Sequence, residues 1–221
     1  MSTSCELKCD WATHEAAKYA CEHWHYSKCL PPSKSVKIGV WEDERFVGVV
    51  VFGVGAIPTL VKQYGLQSNE GCELVRVALR EHKHFVSEII AKAIKYLRES
   101  NPGLRLIVSF ADPEQGHVGS IYQATNWIYT GKSHATEEFI VNGVRRHGRS
   151  LHHGKPKNMT KKEYAKLLDP NFTVVMGSSK HRYLMPFDRK MRKQIAPLAK
   201  PYPKKEIDGG TTAPQIKENQ T

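Results

Sequence analysis

The 221-residue chain has no uninterrupted apolar run of about 18 residues, the length a bilayer core demands, so no membrane-spanning helix is expected. It also lacks both glycine-rich phosphate signatures. Neither G-x-G-x-x-G after the first strand-like run nor G-x-x-x-x-G-K-[ST] occurs, which argues against a doubly wound dinucleotide domain and a P-loop. Internal repeats are missing too. The opening MSTSCELKCDWATHE has no basic start leading into an apolar stretch and does not read as a signal peptide. Cysteine is sparse: five, at positions 5, 9, 21, 29 and 72, an odd number without framework spacing. Reduced thiols in a cytosolic compartment are the expectation. Acidic residues are scarce in one region only. Residues 145–205 hold 17 Lys and Arg against 3 Asp and Glu, a net of +14; the whole chain carries +11, so the remainder sums to −3. A near-neutral body with a basic C-terminal third points to a polyanionic partner.

What is present suffices for a core, since 40% of the residues are hydrophobic. Length and composition fit a single domain over residues 1–200. Residues 201–221, rich in Pro, Gly, Thr and Gln and without an apolar pattern, read as a disordered tail. A helix is predicted over 11–28, with Thr13 as N-cap and Ala17, Ala20, Cys21 and Trp24 on one face; Leu30-Pro31-Pro32 stops it. Strands at 36–42 and 45–53, joined by the acidic turn 42–44, form a hairpin. After a loop (54–70) come a strand at 72–80, an amphipathic helix at 84–100 and a buried strand at 104–112. A short helix (119–126), strands at 127–134 and 137–143, a helix at 159–169 with Thr160 as N-cap and one or two final strands within 173–187 follow. A hairpin, a third antiparallel strand and two β–α–β crossovers give an α/β (α+β) class. The central sheet is mixed and mostly antiparallel, flanked by helices.

Polar and aromatic groups gather just past the strand 104–112. Asp112 stands at its C-terminal end, where sheets of this kind open to ligands. A carboxylate there suits an exocyclic amine, as acceptor or base; the alternative is a cap of the Asp-Pro turn. Tyr122 lies on the same mouth, as hydroxyl donor or as a half-buried core aromatic. Arg76, inside an apolar strand, needs a partner: Glu73, Asp112 or an anionic ligand. Ser109 either faces the same cleft or is a small buried serine. Cys21, His23, His25 and Cys29 invite a metal reading, but on a helix position 23 turns away from the others. His25 with His117 is the other metal-ligand pairing. The basic residues Arg145, Arg146, Arg149, Lys180, Arg182, Arg189, Lys190, Arg192 and Lys193 are interleaved with Tyr, Phe, His and Met in KHRYLMPFDRKMRK. That mixture suits phosphate contacts with duplex DNA plus stacking on bases, against the alternative of a solvated surface.

The element order over roughly residues 36–135 resembles the GNAT superfamily of acyltransferases, in which two neighbouring strands splay and a cofactor lies in the gap. The loop before the long helix departs from that family's glycine-rich pattern: residues 80–87 read REHKHFVS. The resemblance therefore does not carry acetyl-CoA over to this chain. An acyl-CoA, a glycine-like donor and a metal stay open. Taken in order, His25-Tyr26-Ser27-Lys28, Cys72-Glu73-Leu74-Val75-Arg76, Ser109-Phe110-Ala111-Asp112-Pro113, Gly116-His117 and Tyr122-Gln123-Ala124-x-Asn126-Trp127 resemble the Mom family of phage DNA-modification proteins. The likeness extends more loosely to Lys180-His181-Arg182-Tyr183. It implies conversion of adenine in duplex DNA to N6-carbamoylmethyladenine in the host cytoplasm, shielding phage DNA from restriction. His25, Tyr26, Arg76, Ser109, Asp112 and Tyr122 are then the expected site. Because N6 is paired in a duplex, the base should be extruded and stacked on Trp127, Tyr122 or Tyr26. An acetyl-CoA-dependent N-acetyltransferase and a non-catalytic DNA-binding or antirestriction protein are the rival readings, and a homodimer is left open.

Overall fold

The computed structural model describes residues 5–54 and 59–204, without the side chains of Arg149 and His153. The chain begins with a strand absent from the sequence reading, β1 (Leu7–Trp11), followed by α1 (His14–Trp24). The Thr13 hydroxyl accepts from the Ala16 N–H and starts that helix as expected. The helix ends at Trp24 rather than at residue 28, and Lys28 sits at φ 49. The hairpin is β2 (Ser35–Glu42) and β3 (Arg45–Gly53); β4 (Gly71–Leu79), α2 (Val86–Ser100) and β5 (Leu106–Ala111) follow. Next come a single helical turn, α3 (Ser120–Gln123), then β6 (Ile128–Lys132), β7 (Glu137–Val141), β8 (Val144–His147) and α4 (Gly148–Gly154). The last elements are α5 (Lys161–Leu168), β9 (Thr173–Met176), β10 (His181–Pro186) and α6 (Arg189–Ile195).

Seven strands form the main sheet in the order β1-β2-β3-β4-β5-β10-β6, and β8-β7-β9 form a small second sheet. Among the described residues only β4 and β5 run parallel; every other pairing is antiparallel. The expected class is therefore the observed one. The second crossover differs from expectation, because β10 inserts between β5 and β6 and pairs with both.

The sheet is covered on both faces, and the two-residue period of a strand assigns each side chain. Val50 and Phe52 of β3, Leu74 and Ile107 lie under α2, whose Ile89, Ile90, Ala93, Ile94 and Leu97 are all buried. Val49 and Val51 point the other way, to Ala17, Ala20 and Cys21 of α1. Further along that face Leu106 and Val108 pack with Met191 and Ile195 of α6 and with Leu60, Val61, Tyr64 and Leu66, which lie in the stretch read as a loop. The small sheet has its own core of Phe139, Val141, Leu151 and Ala165. Beyond α6, Tyr202 donates its hydroxyl hydrogen to the Trp127 carbonyl. Residues 205–221, most of the expected tail, lie outside the described residues. Among the described residues no helix is long and apolar enough to cross a membrane.

Candidate active site

Strands β4 and β5 pair from Gly71–Leu106 to Leu74–Ser109, and there the ladder stops. Beyond that point β4 follows β3 to Leu79 while β5 follows β10 to Ala111. The wedge between them opens into a cavity of about 560 Å³, within the range of small-molecule sites. At its apex Ser109 Oγ lies 3.0 Å from the Leu74 carbonyl oxygen and 2.8 Å from the Tyr122 hydroxyl. A serine has one hydrogen and a carbonyl only accepts. Ser109 therefore donates to Leu74, and Tyr122 donates to Ser109. Burial pushes the Tyr122 phenol up to about 12, so it keeps its proton. Ser109 is sealed at the point where the strands part and Tyr122 lines the cavity beside it.

The β4 wall is shaped by a bulge. Opposite β3, Arg76 pairs with Val51 and Leu74 with Phe52, which leaves Val75 as the extra residue. Bulges re-aim side chains, and here Arg76 lines the cavity. Its Nη1 donates to the Val75 carbonyl at 2.7 Å, while its Nε is sealed from water without a hydrogen-bond partner. His82, also lining the cavity, has its Nε2 in the same condition. Two sealed, unpartnered nitrogens in one wall each carry a desolvation cost of about 1–3 kcal/mol, which a polar ligand would offset. In the sequence His82 shows as one of the basic residues of the stretch 80–87, with Arg80, Lys83 and His84, that could hold an anion.

The end of α1 supplies the opposite rim. His25 Nδ1 receives the Ser27 N–H at 3.1 Å and lies 2.8 Å from the Ser27 hydroxyl. An N–H can only donate, so Nδ1 is the acceptor and the ring hydrogen sits on Nε2. Burial, then the nearby Arg76, His117 and Lys28 charges, lower the His25 pKa to about 4. The ring, which lines the cavity, is therefore neutral at physiological pH. The Tyr26 ring lies 4.2 Å from His25 and 5.9 Å from His117. Of the three aromatics expected to stack a base, Trp127 is 0% exposed and Tyr122 6%, whereas Tyr26 is 50% exposed. Only Tyr26 is accessible for that task.

Asp112 lines the cavity and also caps the turn at Pro113–Gln115, so both sequence alternatives hold. Oδ1 accepts from the Glu114 N–H at 3.0 Å and from the Ser178 hydroxyl at 3.2 Å; Oδ2 meets the Lys180 ammonium at 3.0 Å. Burial raises its pKa, but Lys180 and the two donors together outweigh burial and hold the carboxyl below its ordinary range. Asp112 is thus an ionised acceptor. Arg76, Asp112, Tyr122, His25 and Tyr26 share one cavity, as the sequence led one to expect, with Ser109 at its root.

The loop before α2 carries a built-in anion. Glu42, 3% exposed, accepts from the backbone N–H of Lys83 at 2.8 Å and of His84 at 2.8 Å, and meets His84 Nδ1 at 2.9 Å. The Phe85 N–H goes to Glu88. Amides that could cradle a phosphate at a helix N-terminus are thus turned onto carboxylates of the chain itself.

The basic residues divide into two groups. Lys180 is held by Asp112, Arg145 by Glu114 and Glu138, and Arg182 donates to the Thr130 hydroxyl. Arg189, Lys190, Arg192 and Lys193 of α6 and Arg146 are exposed and make no ion pair among the described residues. Arg149 lies outside the described side chains. Neither the Cys21–Cys29 set nor His25 with His117 gathers three metal-ligand side chains among the described residues; the group that does lies elsewhere.

A model of the Mom protein family matches residues 6–204. The methylcarbamoylase Mom of Escherichia phage Mu is 26% identical over 215 residues, covering 90% of this chain and 84% of that protein. Among solved structures, an N-acyl amino acid synthase from uncultured soil microbes gives a TM-score of 0.48 at 11% identity, covering 89% of this chain and 99% of its own. A Bacillus subtilis acetyltransferase in complex with CoA gives 0.44 at 12% identity, covering 84% and 100%. The family match, which runs through every wall of the cavity, leads to one assignment: the chain belongs to the Mom protein family.

Proposed function

We propose that this chain is a phage DNA-modifying transferase that places a carbamoylmethyl group on N6 of adenine in duplex DNA and so shields that DNA from restriction. The observation that carries the reading is the wedge. Its inner wall holds two sealed nitrogens without partners, Arg76 Nε and His82 Nε2, and its mouth holds an exposed aromatic, Tyr26, near an ionised Asp112. In this reading the adenine leaves the duplex and stacks on Tyr26. Asp112 accepts a hydrogen bond from the exocyclic amine. As N6 forms its new bond to the donor's methylene carbon, the bond from that carbon to the donor's leaving group breaks and its electron pair departs with that group; N6, now positive, gives up its proton to the Asp112 carboxylate. The neutral His25 donates to the oxygen of the group being transferred. Arg76 anchors the anionic part of the donor.

The splayed strands favour one second reading, an acyl-CoA-dependent N-acetyltransferase. Against it stand the loop amides already bound to Glu42 and Glu88. Calorimetry with acetyl-CoA should give no binding heat; saturable binding would favour the acetyltransferase. The main test is mass spectrometry of nucleosides from plasmid DNA of expressing cells. An adenine heavier by an acetamido group is expected with the intact chain and not with Asp112→Ala or Arg76→Gln. Unmodified adenine from cells making the intact, folded chain would overturn the proposal and leave a DNA-binding protein.

A further inference from the structure

Away from the cavity, three different metal-ligand side chains converge from three parts of the chain: Cys5 ahead of β1, Glu42 at the end of β2 and His84 in the loop between β4 and α2. Their donor atoms all lie within 4.8 Å of one another. We propose that Cys5, Glu42 and His84 form a structural site for a divalent transition-metal ion, zinc by the nature of its donors.

Thiolate, imidazole and carboxylate together are a borderline-soft set that suits zinc rather than calcium or magnesium. The spacing agrees. His84 Nδ1 and Glu42 Oε1 are 2.9 Å apart, and two donors each about 2.1 Å from one ion are separated by about 3.0 Å at a right angle and 3.4 Å at the tetrahedral angle. The charge agrees as well. Asp43 adjoins Cys5, and Lys83 Nζ lies 3.4 Å from Asp43. With Cys5 ionised, Glu42, Asp43, Lys83 and Cys5 leave two uncompensated negative charges, which one dication neutralises. The Lys83 and His84 N–H groups fix the Glu42 carboxylate as outer-shell donors. A fourth position is left for water or Asp43. The ion would tie the N-terminal strand to the loop that carries His82 into the cavity wall.

The experiment is a Co²⁺ titration of the chelator-treated full chain. One equivalent should produce a thiolate-to-cobalt charge-transfer band and visible ligand-field bands, both removed by Zn²⁺. Cys5→Ser should lose the charge-transfer band, and His84→Ala should weaken Zn²⁺ binding by at least the roughly 10–100-fold that loss of an outer-shell partner costs. Chelator should lower the melting temperature of the intact chain but not of Cys5→Ser. Absence of the bands from the intact chain, or their persistence in Cys5→Ser, which would move the ion to another cysteine, overturns the proposal. Far-ultraviolet circular dichroism establishes that each variant is folded.

Discussion

At the scale of single residues, the site is a set of groups whose protonation is fixed by their neighbours. Lys180 is the clearest case, because it holds Asp112 at 3.0 Å while burial works in the opposite direction. Removing the ammonium leaves burial opposed by two neutral donors only, the Ser178 hydroxyl and the Glu114 amide. Glu114, on the same turn, is itself paired with Arg145, and His117 follows three residues on. The Asp112 pKa must then rise. The acceptor is lost as pH falls through that pKa, so the acid limb of the rate–pH profile should move to higher pH in Lys180→Met and return in Lys180→Arg; an unmoved limb in Lys180→Met excludes this role. Arg76→Lys should lower the modification rate about 10–100-fold with the fold intact, as loss of a charge-assisted hydrogen bond worth about 1.5–3 kcal/mol predicts. Nucleoside mass spectrometry beside circular dichroism checks it. Asp112 and Arg76 were legible in the sequence because a polar residue ending or interrupting an apolar run announces itself; Tyr122 stood out through the family resemblance. Glu42 was not, since its partners lie some 41 residues away, and His82, visible only as part of a basic stretch, shows its orphaned nitrogen once the wedge is built.

At the scale of elements, local signals identified what local physics decides. Thr13 and Thr160 cap their helices as their positions suggested, the latter with Glu163 returning the bond. The apolar stripe of α2 is buried residue by residue. Elements that depend on partners were hidden. Strand β1 reads as a polar stretch and becomes a strand through its antiparallel pairing with β2. Helix α6 reads as a basic run, but Asp188 caps it and Met191 and Ile195 anchor it. The Val75 bulge exists only against β3. One element shows how little tolerance the site has. Gly119 opens α3 at φ +82, and a Cβ there would lie 2.3 Å from Tyr183 Cε2. Tyr183 cannot withdraw easily, as its hydroxyl donates to the Val118 carbonyl and it is 0% exposed. Gly119→Ala should cost about 2–4 kcal/mol, combining a left-handed backbone with overpacking. Urea denaturation measures it, and a cost below about 1 kcal/mol would mean that α3 can shift away from Tyr183.

For the whole molecule, two charge distributions set the response to solution conditions. The buried His25 and His181 both have lowered pKa values, mainly through burial, and stay neutral in the fold. An unfolded histidine takes up its proton near pH 6.5, whereas His25 resists until about pH 4. Stability present above pH 6.5 should therefore be lost progressively toward pH 4, as urea midpoints at descending pH would record. The second distribution is the basic third of the chain. Much of its charge near the cavity is already committed: Lys180 to Asp112, Arg145 to Glu114 and Glu138. The cluster still available to phosphates is on α6, where Arg189, Lys190, Arg192 and Lys193 stand exposed on a helix anchored to the main sheet. Each phosphate contact contributes about 0.9 to the slope of log affinity against log salt. Replacing these four by glutamine should flatten that slope for duplex DNA by up to about 3.6, weakening binding across sequences alike, because phosphate contacts carry no base information. Fluorescence anisotropy over a range of salt concentrations reads this directly. An unchanged slope would move the DNA path to the small sheet, where Arg146 stands exposed.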